Sequence, residues 1–228
     1  MTPPQSILKG ARALFGVAVL PLGSPVQLTP ATVQRTTPLV RGTAFAVKED
    51  RFLTASHVLP PDLAGFGEIL LLGLAHSGNP QTLVRVSEVV ARDDALDFAL
   101  LKGSLVQGYM EPLTIEFRDP VIGEDIITVG FPLAEESGAV RDRTVKLVLR
   151  ATKGIVASRS MDGSSFEMDA QFLPGLSGAP VLAAESGNAI GMARGFLSFQ
   201  APVGVISAVL GLSLALNVLV SRRVELGL

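Results

Sequence analysis

Along most of this chain, apolar residues come in short runs that alternate with polar ones and stop at glycine, proline or a charged turn. A period of two predicts strands rather than helices. Residues 13–20 read as the first strand, and the Pro-, Thr- and Gln-rich stretch 24–38 as a surface loop. Residues 42–47 and 51–54 form a predicted hairpin across Lys48-Glu49-Asp50, ending at Ala55-Ser56-His57. Residues 68–73, 83–90 and 98–101 are strand-like, with Asp97 at the mouth of the last. The segment Glu111–Pro120 lacks periodicity and is the candidate linker between 1–117 and 118–228. Beyond it, residues 123–131, 145–157 (pinched at Gly154), 164–170, 181–183, 189–194 and 201–206 read as strands, with 135–142 a charged hairpin loop. About a dozen short strands limited by turns predict an all-β chain of sandwich or barrel type. The end of the chain breaks the pattern. Residues 201–220 carry no charge, but Pro202, Gly204, Ser207, Gly211, Ser213 and Asn217 interrupt them. A packed helix over 207–222 is expected there rather than a membrane span, with Arg222 and Arg223 at the C-terminal end that favours positive charge.

Composition narrows the classes of function. The chain has 228 residues, 48% of them hydrophobic and only 18% charged, so a substantial core is expected. A net charge of −2 without a basic run offers nucleic acid little attraction. The absence of cysteine removes disulfides, thiol catalysis and thiolate metal sites. It suits a cytoplasmic protein, ahead of a periplasmic or secreted one. Residues 13–22 follow Lys9 and Arg12 loosely as in a signal peptide, but Gly16 and Pro21 break the run and no small-x-small cleavage site follows. The two histidines, His57 and His76, lack any His-Glu-x-x-His spacing, so neither a metal nor another cofactor is expected. His76, in a Ser-Gly-Asn-Pro turn, is expected to be solvated.

The chemistry gathers around Pro174-Gly175-Leu176-Ser177-Gly178-Ala179-Pro180. Glycines on both sides of a serine let the backbone turn tightly and can aim the N–H groups of Gly175 and Ser177 into one small space. A hydroxyl beside two such donors has what acyl transfer needs, a nucleophile and a place for the oxyanion. The same heptapeptide also serves as a plain Gly/Pro turn between strands. His57, at a strand end and flanked by small residues, is the candidate base. Asp97, ahead of an apolar strand, is the candidate orienting carboxylate; Asp93 and Asp94 are more polar alternatives. The order His…Asp…Ser separates this chain from an α/β-hydrolase, whose histidine follows its serine. The β-rich pattern argues against a subtilisin-like arrangement using Asp50.

Gly42-Thr43-Ala44-Phe45, Leu53-Thr54-Ala55-Ser56-His57-Val58, Asp97-Phe98-Ala99-Leu100-Leu101, Gly130-Phe131-Pro132 and Asp169-Ala170 before the serine turn occur in one order. In this the chain resembles the trypsin-like (chymotrypsin-fold) serine proteases, and among them the bacterial high-temperature-requirement protease domains. The resemblance implies two six-stranded antiparallel β-barrels, with His57 and Asp97 from the first and Ser177 from the second. It implies a Ser177–His57–Asp97 triad, an oxyanion hole of Gly175 and Ser177, and a peptide or protein substrate. It also implies a substrate pocket with Gln171 at its base and Gly204, Val205 and Ile206 as a wall. None of these is charged, so a small or medium apolar P1 residue is expected. Two departures stand out: Ala179 replaces a common second glycine, and Leu176 replaces the aspartate that pairs with a newly cut N-terminus in digestive members. No zymogen activation of that kind is expected. The relatives usually carry a peptide-binding module after the protease domain; with about 20 residues after the last expected strand, a protease domain alone, or one cut from something larger, is expected here. The rival from another class is a latent or proteolytically silent peptide-binding or regulatory domain on the same fold, with an activating partner or a homo-oligomer left open.

Overall fold

A computed structural model describes residues 11–21, 39–62, 66–74, 80–132, 135–137, 144–200, 207–222 and 227. The first half folds as β1 (Leu14–Pro21), β2 (Leu39–Lys48), β3 (Arg51–Thr54), β4 (Phe66–Leu74), β5 (Pro80–Asp93) and β6 (Phe98–Gln107). Antiparallel pairing in the order β1-β2-β3-β6-β5-β4, with β4 returning to β1, closes a barrel. The second half contributes β7 (Asp125–Gly130), β8 (Glu135–Ser137), β9 (Thr144–Lys146), β10 (Arg150–Arg159), β11 (Ser165–Asp169), β12 (Pro180–Ala183), β13 (Ala189–Gln200) and β14 (Ser207–Ala215). Six of these close a second barrel in the order β10-β11-β14-β13-β12-β7, while β8 and β9 pair alone. The architecture is all-β and chymotrypsin-like: two closed six-stranded antiparallel barrels.

Closure leaves no free sheet edge and puts the inward set of each alternating strand into a shared interior. In the first barrel Phe15, Phe45, Phe52 and Phe98 are fully buried, and the rings of Phe15 and Phe52 meet edge to face at 5.4 Å. In the second, Val156, Phe166, Met168, Val181 and Ile190 form the core together with Leu176 from the serine turn. The larger cluster crosses the seam: Val129, Phe131, Leu182, Met192 and Leu214 are buried in continuity with the first barrel.

Three expectations are corrected. The helix expected over 207–222 is instead strand β14, followed by a 3-10 helix at Leu216–Arg222. The run lacks charge because β14 lies between β11 and β13 and completes the barrel, with Gly211, Ser213, Leu214 and Ala215 buried. The single β stretch expected at 145–157 is two strands, β9 and β10, separated at residues 147–149, and Glu135–Ser137 is strand rather than loop. The loop at 24–38, His76 and the strand expected at 201–206 lie outside the described residues. No helix among the described residues is long and apolar enough to cross a membrane.

Residues 108–124 join the barrels without a regular element, yet they are bonded to both. Leu113 N–H donates to Ala46 O of β2, and Ala189 N–H of β13 donates to Thr114 O. A parallel bridge pairs Ile115 with Ala189. The Glu116 carboxylate accepts from Asn188 Nδ2 at 2.7 Å and from Arg118 Nε at 2.8 Å, and Arg118 also holds Glu124. Arg118 first, then Asn188 and Ser186, hold Glu116 well below its usual pKa, at about 2.

Candidate active site

The serine turn spans the gap between β11 and β12. Leu176 is fully buried in the second core, which anchors the residue just before Ser177 and explains an apolar side chain there. Gly175 and Gly178 have φ of 96° and 83°, values that favour glycine. At Gly178 the constraint is also one of space: a Cβ would overlap Thr43 O and come within 2.8 Å of Ala55 N. The turn thus lies directly on the first barrel, against the residues that lead into His57. Thr43 N–H donates to Ser177 O at 2.8 Å, and Gly178 N–H to Ala193 O at 2.7 Å. Among the described residues, neither Gly175 N–H nor Ser177 N–H donates to a protein acceptor.

His57 sits in a one-turn 3-10 helix, Ser56–Val58, directly after β3. Ser56 and Val58 are buried and turn the imidazole between them outward. Its Nδ1 lies 2.8 Å from Asp97 Oδ2 and 3.0 Å from Oδ1, and its backbone N–H donates to Oδ1 at 3.0 Å. One carboxylate therefore holds both the ring and the peptide of His57, leaving Nε2 on the far side. Asp97 does this from a left-handed backbone, φ 55°, the one non-glycine residue with positive φ among those described. The turn before it is fixed by Asp93, whose Oδ1 accepts from the N–H groups of Ala95 and Leu96 at 3.0 Å. Asp94 accepts from Ser56 Oγ and, at 2.7 Å, from Arg92 Nε. The Ser56 hydroxyl, with Arg92 second, holds the Asp94 carboxyl below its usual range. Arg92 also donates to Pro60 O, so both flanks of the histidine turn are tied to the end of β5.

Arg194, on β13, reaches both groups. Its carbonyl accepts a long bond, 3.4 Å, from Ser177 Oγ, and its Nη1 donates to Leu96 O at 2.9 Å, beside Asp97. Burial lowers the pKa of this guanidinium, against the pull of the nearby Asp97 carboxylate. No hydrogen bond joins Ser177 Oγ to His57 among the described residues.

Residues 42–192 match the family of trypsin-like peptidase domains. The chain belongs to that family. The fold of the peptidase domain is also that of a serine endoprotease from Yersinia pestis, with a TM-score of 0.67 at 19% identity, over 99% of this chain and 68% of that one. A search of curated protein sequences found no match.

In this trypsin-like peptidase domain, Gln171 is exposed in the unpaired stretch between β11 and the serine turn. Gly204, Val205 and Ile206 lie outside the described residues. Phe172 and Phe196 were not anticipated: their rings pack at 6.2 Å, and Phe196 is 54% exposed two residues beyond Arg194. Nor does the sequence pattern single out Thr43 and Arg194. Thr43 reads as a strand residue and Arg194 as a strand end, and their decisive partners are far away in sequence.

Proposed function

We propose that this domain is a serine endopeptidase working through an acyl-enzyme. The observation that carries the reading is the His57–Asp97 pair, joined through Nδ1 on the barrel against which the Ser177 turn is seated. In the proposed cycle His57 Nε2 takes the proton from Ser177 Oγ as the oxygen attacks the peptide carbonyl. Asp97 accepts the Nδ1–H bond throughout, selecting the tautomer and stabilising the imidazolium. The N–H groups of Gly175 and Ser177 receive the oxyanion. His57 then protonates the departing amine, and water, deprotonated by the same imidazole, releases the acyl group and restores the serine. Gln171 carries no charge and the Phe172–Phe196 pair is apolar, which favours an apolar side chain before the cleaved bond.

A second reading has its own support. Ser177 Oγ points to Arg194 O rather than His57, which suits a latent form that a substrate or partner converts by turning the serine side chain. Fluorophosphonate labelling of the purified chain tests both, with Ser177→Ala as control and mass spectrometry locating the adduct. Prompt labelling at Ser177, lost in the variant, is expected. Absence of labelling overturns the constitutive peptidase. Labelling without peptide cleavage directs attention to ester or transfer substrates, because the triad does not specify the acyl group.

A further inference from the structure

We propose that Thr43 is a positioning residue for the oxyanion loop: its hydroxyl and its backbone N–H, on the first barrel, grip the carbonyls of Gly175 and Ser177 on the second. The inference rests on the endopeptidase reading for its catalytic consequence, though not for the grip itself.

Thr43 is completely buried and uses every polar group it has. Its N–H donates to Ser177 O at 2.8 Å. Its carbonyl accepts from Thr54 Oγ1 at 2.8 Å. Its hydroxyl lies 2.8 Å from Gly175 O and 3.1 Å from Phe131 N. An N–H can only donate, so the Thr43 oxygen is the acceptor towards Phe131, and its single proton is left for Gly175 O. The direction of the hydroxyl is therefore determined.

The pattern along the loop follows from this. The peptide between Gly175 and Leu176 is held on both edges, its carbonyl by the Thr43 hydroxyl and its N–H by Leu173 O at 3.1 Å. The peptide between Ser177 and Gly178 is also held on both edges, its carbonyl by Thr43 N–H and its N–H by Ala193 O. These alternate with the two peptides whose N–H groups, those of Gly175 and Ser177, have no protein acceptor among the described residues. Pinning every second peptide, together with the bond that Ala179 N–H gives Leu176 O at 2.9 Å, sets the direction of those between. Gly175, with φ of 96°, resists reorientation little by itself, so the grip on its carbonyl matters more than it would at a residue with a side chain.

The test compares the whole chain with Thr43→Val, which keeps the shape and removes the hydroxyl, and with Thr43→Ser, which restores it. Thr82→Val is the remote control, because the Thr82 hydroxyl on β5 also spends a hydrogen bond on a carbonyl outside its own barrel, Tyr109 O of the joining segment. Two quantities are read: kcat and KM on a peptide substrate, and amide hydrogen exchange across residues 172–180. Thr43→Val is expected to lower kcat about 100-fold with KM little changed, as misplaced catalytic geometry does, and to speed exchange in the loop. Thr43→Ser returns both to near wild type, and Thr82→Val leaves both alone. If Thr43→Val does not fold, Thr43→Ala takes its place. Wild-type kcat and exchange in Thr43→Val overturn the proposal, as does an equal loss in Thr82→Val or failure of serine to rescue. If the wild-type chain neither labels nor cleaves, the endopeptidase reading fails, and the exchange comparison alone decides whether Thr43 holds the loop.

Discussion

Asp97 occupies a backbone conformation that asparagine and aspartate tolerate best, and it binds His57 at two points. Asp97→Asn should therefore keep the fold while presenting an amide to Nδ1 and favouring the wrong tautomer. The expected outcome is a fall in kcat of about 10⁴-fold with a melting temperature close to wild type. Steady-state kinetics and thermal unfolding of the same preparation check it, and a large drop in melting temperature would show the carboxylate to be chiefly structural. His57, Asp97 and Ser177, of which the structure joins the first two, were legible as candidates because each is a chemically distinctive side chain at the end of an apolar run, in an order that few folds share. Thr43 and Arg194 were not. A threonine inside a strand has the same local pattern whether its hydroxyl meets solvent or a carbonyl 132 residues away, and only the fold supplies that partner. Asp94, the more polar alternative to Asp97, is accessible and takes another part: it fastens Ser56 to Arg92 beside the candidate base.

Most strands could be read from alternation, because half of each faces a barrel interior and half does not. β14 escaped for a physical reason: none of its residues from 210 to 215 is exposed, so no polar face marks the alternation. The linker shows the opposite case, an aperiodic segment that is nonetheless firmly held. Its Glu116 falls from the ordinary glutamate value of 4.5 to about 2 in the folded chain. The native state thus binds fewer protons than the unfolded one across that interval. This contribution to stability is complete above pH 4.5 and is lost as the pH falls towards 2. Glu116→Gln should lower stability at pH 7 by about 1 kcal/mol, or about 2–4 °C in Tm, and flatten the acid limb of the Tm–pH curve. Calorimetry at a series of pH values measures it, and parallel acid limbs in the two proteins would rule the Glu116 cluster out as the cause.

At the scale of the molecule, the two barrels share one buried cluster, and the seam between them runs through the site. At Gly178 the two barrels meet with no room for a Cβ, against Thr43 and Ala55. Gly178→Ala combines a left-handed alanine, disfavoured by about 1–2 kcal/mol, with a methyl group that has no room. The denaturant midpoint should fall, and Ser177 should label more slowly in whatever folded protein remains. A midpoint unchanged from wild type would mean that the barrels yield at this point without consequence. The same seam bears on how the chain is made. A ribosome finishes β1 to β6, with His57 and Asp97 in place, long before it has polymerised Ser177. The turn then needs β2 already formed to hold it and β12 to β14 to complete the barrel behind it. A length of this chain that ends before β14 therefore has His57 and Asp97 paired but no closed second barrel behind Ser177.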